Sequence, residues 1–151
     1  MMATYSPYDA GAYERQKSGV EYDYGQQTAT NAYGRFLSQQ RGERGLADQT
    51  QQFNRGYAPY KAQYGQRGLA GEGVQSGVQQ QAMQNYTGDY MRNYGYGAQD
   101  LTQQLQQYDL NQSNLDSFHQ QSLGEIEAQK AQSIANDANA IEWLRNLVGG
   151  L

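Results

Sequence analysis

Apolar positions in this chain recur at helical spacing over the last third and lose that regularity towards the start. Between residues 98 and 151, Leu101, Leu105, Tyr108 and Leu115 fall on one stripe, and Phe118 flanks it. Ile126, Ile134, Ile141, Leu144 and Val148 continue it. The steps mix three and four. The long gap from Leu115 to Ile126 makes three turns of about 3.67 residues, so the stripe stays in phase. Proline is absent here and glycine nearly so. The pattern predicts one long helix, about 75 Å from end to end if fully formed. Gln112, His119 and Ser122 interrupt the stripe, Gly124 weakens the helix by about 1 kcal/mol, and Gly149-Gly150 is a stop signal.

Residues 28–97 read as a broken helical region. Thr28 or Thr30 is placed to cap a helix running through Tyr33, Phe36 and Leu37. Phe53, Tyr57, Tyr60 and Tyr64 step by four, three and four, which is one face of a helix. Pro59 sits among them and predicts a start or a kink. Gly65, Gly68, Gly71 and Gly73 predict a hinge over 65–77, followed by a second helix from about Val74 to Met91. Tyr94-Gly95-Tyr96-Gly97 reads as a further turn. Arg44-Gly45-Leu46-Ala47 recurs as Arg67-Gly68-Leu69-Ala70. Each copy leads into a Gln-rich run with a paired-Tyr ending, a weak internal repeat in a chain biased towards Gln, Gly and Tyr.

Residues 1–27 sustain no period of 2 or 3.6. Tyr5, Tyr8, Tyr13, Tyr22 and Tyr24 are spread among Pro7, Gly11, Gly19 and Gly25. Such a segment is either a disordered tail or an extended arm laid across a neighbouring subunit, with its rings as anchors. The expected architecture is therefore all-α. A long C-terminal helix packs on shorter helices, with an extended Tyr/Gly-rich N-terminal arm, and the fold is completed by oligomerisation.

Composition explains why other subunits enter this reading. Apolar residues make up 37% of the 151 residues, and fourteen of them are Tyr against three Phe and one Trp. A tyrosine buries a ring but keeps a hydroxyl that wants a partner, which suits wet interfaces better than dry cores. A narrow stripe on a helix this long cannot bury itself alone. The predicted interface positions are Tyr5, Tyr8, Tyr13, Tyr22, Tyr24, Leu101, Leu105, Leu115, Ile126, Ile134, Ile141, Trp143 and Leu144. The last of these belong to a compact apolar tip, Ile141 to Val148, read either as a docking motif with an aromatic anchor or as the end of a core stripe.

Charge is unevenly spread. Residues 1–97 carry nine Lys/Arg against eight Asp/Glu, and residues 98–151 carry two against seven. The cations concentrate in the middle as Arg35, Arg41, Arg44, Arg55, Lys61 and Arg67. Interleaved with tyrosines, they would serve a nucleic-acid-binding module with a phosphate track and stacking rings. No known module is spelled out, and the plainer reading is a solvated or subunit-facing surface.

Candidate chemistry is sparse. The single histidine, His119, has no second His or Cys to share a common zinc site. No acidic pair repeats at a spacing that converges on a metal or a glycosidic bond. Gly71-Glu72-Gly73-Val74-Gln75-Ser76-Gly77 resembles a phosphate loop, yet no apolar strand precedes it and no Lys-Ser/Thr follows. No catalytic residue, cofactor or metal is expected. The absence of Cys excludes disulfides. No apolar run approaches a membrane span, and residues 1–7 lack the basic and apolar regions of a secretory leader.

The segment Tyr64-Gly65-Gln66-Arg67-Gly68-Leu69-Ala70-Gly71-Glu72-Gly73-Val74-Gln75-Ser76-Gly77-Val78, leading into a Gln-rich helix with periodic Tyr and Leu, is similar to small structural proteins of tailed phages. These include minor tail, head–tail connector and internal ejection proteins. The likeness covers about 15 residues by motif and residues 33–148 by style. It implies a non-enzymatic virion protein in the tail, in the connector or inside the capsid. The implied partners are copies of itself, other virion proteins and DNA in transit without sequence specificity. The acidic end would then line a surface near passing DNA, where like charge prevents sticking. An ejection protein would instead form a DNA conduit in the host envelope. A membrane partner is expected only in that reading, and the chain lacks the basic amphipathic face of a membrane-surface helix.

Overall fold

The computed structural model describes residues 8–67, 70–71, 74–75 and 77–149. Two helices dominate, α1 over Ala10–Gln66 and α2 over Gly77–Gly149. Two-residue strands lie between them, β1 at Ala70–Gly71 and β2 at Val74–Gln75, paired antiparallel with Ala70 opposite Gln75 and Gly71 opposite Val74. The protein is all-helical in class, and its two helices pack together.

The start of α1 is set by Asp9. Its carboxylate Oδ1 accepts the backbone N–H of Gly11 at 2.9 Å and of Ala12 at 3.2 Å, and its carbonyl accepts from Ala12 and Tyr13. This is an N-cap, which answers donors that the first turn leaves unpaired. The extended arm expected over 1–27 is therefore helical from Ala10 onward, and Tyr5 lies outside the described residues. The physical reason is tertiary. Weak helix formers such as Gly19 and Gly25 cost about 1 kcal/mol each, but pairing with α2 outweighs them. The start expected at Thr28 or Thr30 falls inside α1, where the Thr30 hydroxyl donates back to the Gln26 carbonyl at 2.9 Å.

Two further breaks are absent. Pro59 lies inside α1, and Tyr94 to Gly97 continue α2. The long C-terminal helix thus begins at Gly77 rather than at residue 98. The expected Gly-rich hinge at 65–77 coincides with the link between the helices, of which residues 68–69, 72–73 and 76 lie outside the description.

The chain divides into two compact units, one from residues 1–31 with 110–151 and one from 32–109. In the first, contacts pair Tyr8 with Asp137, Tyr13 with Gln129 and Tyr24 with Asp116, so the segments run antiparallel. In the second, Arg35 meets Asp109, Ser38 meets Tyr108 and Thr50 meets Tyr90, again antiparallel. Ile126, at 7% exposure, is the sole buried apolar side chain among the described residues.

Candidate assembly surfaces

The second unit is built around a stack of rings. Tyr90, Phe53, Tyr86 and Tyr60 succeed one another, alternating between the helices. Ring centroids are 4.3, 5.4 and 4.7 Å apart and planes lie within 24°. Offset stacking of this kind contributes about 0.5–1.5 kcal/mol per pair beyond area burial. The hydroxyls stay wet or pair locally. Thr50 Oγ1 and Tyr90 OH lie 2.9 Å apart, and Tyr60 and Tyr64 hydroxyls 3.3 Å apart. The Tyr60 phenol is pushed above the ordinary tyrosine value, first by its bond to Tyr64 and then by burial.

Elsewhere along this unit, and beside the stack itself, large side chains sit on glycines. The Leu101 side chain covers Gly42, Tyr108 covers Gly34 and Tyr86 covers Gly56, each where a Cβ would collide with it. Glycine here admits a large neighbour close to the backbone. Leu101 and Leu105, two of the predicted interface positions, are half-buried on this seam. Arg35 donates to Asp109 at 2.9 Å, an exposed ion pair of little weight in water. Arg41, Arg44, Arg55 and Lys61 are exposed along α1, and Arg67 is exposed just past its end.

The first unit is held by a polar network. Tyr24 donates its hydroxyl to Asp116 at 2.7 Å. Gln112 donates to Asp116 at 2.7 Å and to Thr28 at 3.3 Å, and accepts from Asn31 at 3.2 Å. The His119 ring stacks on Tyr24 with centroids 4.0 Å apart. The Asp116 bond, made only by the protonated phenol, raises the Tyr24 pKa above its ordinary value. Tyr8 stacks on Tyr13 and gives its backbone N–H to Asp137 at 2.9 Å.

The predicted positions therefore separate. Tyr8, Tyr13, Tyr24, Leu115 and Ile126 face the helix pairing of the first unit. Tyr22 turns outward at 65% exposure. Ile134 falls one position beyond Ser133, which takes the seam; the stripe continues as Lys130, Ser133 and Asp137, all half-buried. Ile141, Trp143 and Leu144 are exposed. A reading confined to apolar letters misses Thr28, Asn31, Gln112 and Asp116. Their signal is small or polar residues repeating by three and four in step with Tyr24 and Leu115.

Among the described residues no group of acidic or histidine side chains is placed to hold a metal ion, and no helix is long and apolar enough to cross a membrane. The architecture defined by these features is a pair of long, mostly polar helices with outward-facing apolar side chains. No family model, curated protein or solved structure matches the chain.

Proposed function

We propose that this chain is a non-enzymatic structural protein of a phage virion, assembling into a symmetric oligomer of the tail or head–tail connector. The observation that carries the assembly half is the mismatch between helix length and core. Helices of 57 and 73 residues bury Ile126 alone among described apolar side chains, while Tyr33, Phe36, Leu110, Phe118 and Trp143 stay exposed. Removing such apolar surface from water is favourable, and closed symmetry lets each copy cover its neighbour's. The virion half rests on the resemblance of the Tyr64–Val78 segment to tailed-phage structural proteins.

The polar seam of Thr28, Asn31, Gln112 and Asp116 favours a second reading, an internal protein ejected with DNA that rebuilds as a conduit in the host envelope. Contacts of this kind exchange with water at small net cost, so the helices separate and re-form without exposing a large dry core.

Light scattering together with circular dichroism tests the assembly reading. A helical oligomer of defined, ring-sized mass is expected. A disordered monomer at all concentrations overturns self-assembly and moves the search to other virion proteins.

A further inference from the structure

Beside its ring stack the second unit carries an open groove of about 450 Å³, whose walls mix three chemistries. Tyr57, Met83 and Met91 supply apolar surface, Gln79, Gln80 and Gln84 supply amides, and Lys61 supplies the only charge in the lining. The volume lies within the range of small-molecule sites, in which apolar walls carry a few polar groups that fix orientation.

Each component is available to a guest. Tyr57 stands outside the parallel stack, and its contacts with Phe53 and Tyr86 are tilted by 39° and 44°. Met91 is 66% exposed, and a methionine adapts to a ring and makes favourable sulfur–aromatic contacts. Gln79 is buried at 5% exposure, so one amide belongs to the wall itself rather than to a solvated rim. Thr30, Thr50 and Thr102 each donate to the carbonyl four residues back, whereas Thr87 in the groove makes no such bond among the described residues. Lys61 is exposed and has no acidic partner among the described residues. Asp89 pairs with Arg92 at 3.8 Å and lines a different recess.

We propose that this groove binds a nucleoside phosphate, with the base against Tyr57, Met83 and Met91 and the phosphate on Lys61. The composition of the lining selects this class. An apolar guest would set Lys61, Gln80 and Gln84 against a surface that cannot bond them, and desolvating such groups without a partner is costly. An inorganic anion would use Lys61 and leave the ring and thioethers idle. A nucleoside phosphate uses all three. Its base has a flat face that stacks on an aromatic side chain and an edge of donors and acceptors that a glutamine amide matches, adenine best. Its phosphate answers the ammonium. The same chemistry is offered by a free nucleotide and by one unit of a single strand. The site goes beyond the assembly reading and does not depend on it.

Fluorescence anisotropy of a short labelled oligo-dA strand on the full chain, over a salt series and with competitors, tests the site. The strand is expected to bind, and dAMP to displace it at concentrations where inorganic phosphate does not. If dAMP binds as tightly as the strand, the ligand is a free nucleotide; if the strand binds at least about tenfold tighter, it is a strand engaging further phosphates. Lys61→Ala should weaken binding and lower the log–log salt slope by about 0.7, the share of one phosphate on a single strand. Tyr57→Leu should weaken it about tenfold, the scale of one lost base–aromatic stack, while Tyr57→Phe keeps the ring and binds as wild type. Arg44→Ala removes an exposed cation outside the groove and should bind as wild type. Circular dichroism checks that each variant keeps its helicity. Absence of binding at low salt, equal displacement by inorganic phosphate, or an equal loss in Arg44→Ala and Lys61→Ala would each overturn the site. The assembly reading, tested by mass, stands or falls separately.

Discussion

Gly42 and Gly45 lie three residues apart on α1 and face opposite demands. A Cβ on Gly42 meets three carbons of the Leu101 side chain, whereas one on Gly45 meets nothing within 4 Å. Replacing either glycine by alanine gains about 1 kcal/mol of helix propensity, but overpacking a seam costs about 1–3 kcal/mol. We therefore expect Gly45→Ala to raise stability to urea and Gly42→Ala to lower it; equal gains at both sites would show that Leu101 does not rest on Gly42. Tyr24 gives a second prediction. Its pKa is raised in the folded chain, chiefly by the bond it donates to Asp116. Protonated Tyr24 therefore contributes stability that is present below the ordinary tyrosine range and lost as pH climbs through the raised value. Thermal melts should show the first unit weakening through the alkaline range above pH ~10, with a shallower slope in Tyr24→Phe. An identical slope in that variant would remove Tyr24 as the cause. Neither residue role was legible in the sequence, where glycine reads as a breaker and Tyr24 as an arm anchor. Each depends on the side chain that the other helix brings opposite.

At the scale of the element, helix boundaries followed tertiary pairing more than local propensity. Pro59 lacks the N–H that would bond the Arg55 carbonyl, and its ring crowds that turn. α1 runs through it because Phe53, Tyr57 and Tyr60 stack against Tyr86 and Tyr90 on both sides of the break. Restoring the bond with Pro59→Ala should stabilise the chain by up to about 3 kcal/mol, read as a higher denaturant midpoint with unchanged slope. A drop in midpoint would mean that proline shapes the ring stack rather than merely being tolerated by it. The aromatic face at four, three and four was readable because helical period alone places those rings together. The helical state of residues 10–27 was not. Its apolar members, Tyr13, Val20 and Tyr24, alternate with Lys17 and Thr28 on the seam, and a polar seam leaves no hydrophobic period to find.

For the whole molecule, the shortage of aliphatic side chains has its consequence in burial. The described residues bury one apolar side chain below a tenth of its surface, Ile126, and one polar one, Gln79. Stability must then come from many small terms spread along the helices, namely ring stacks, side-chain hydrogen bonds and large residues set on glycines. A chain so constituted gains from any partner that covers Phe36, Phe118 or Trp143, which is the ground on which we propose a function in assembly. The sequence by itself determined the helical class, the length of the C-terminal helix beyond residue 98 and the Gly-rich link. These depend on period, composition and residue type, which need no partner. Only the tertiary structure decided that residues 10–27 are helical, that glycines serve as sockets and that polar residues continue the seam where apolar ones run out. Those features exist only when a second helix lies opposite, because a position's role in a helix pair is set by the side chain it meets.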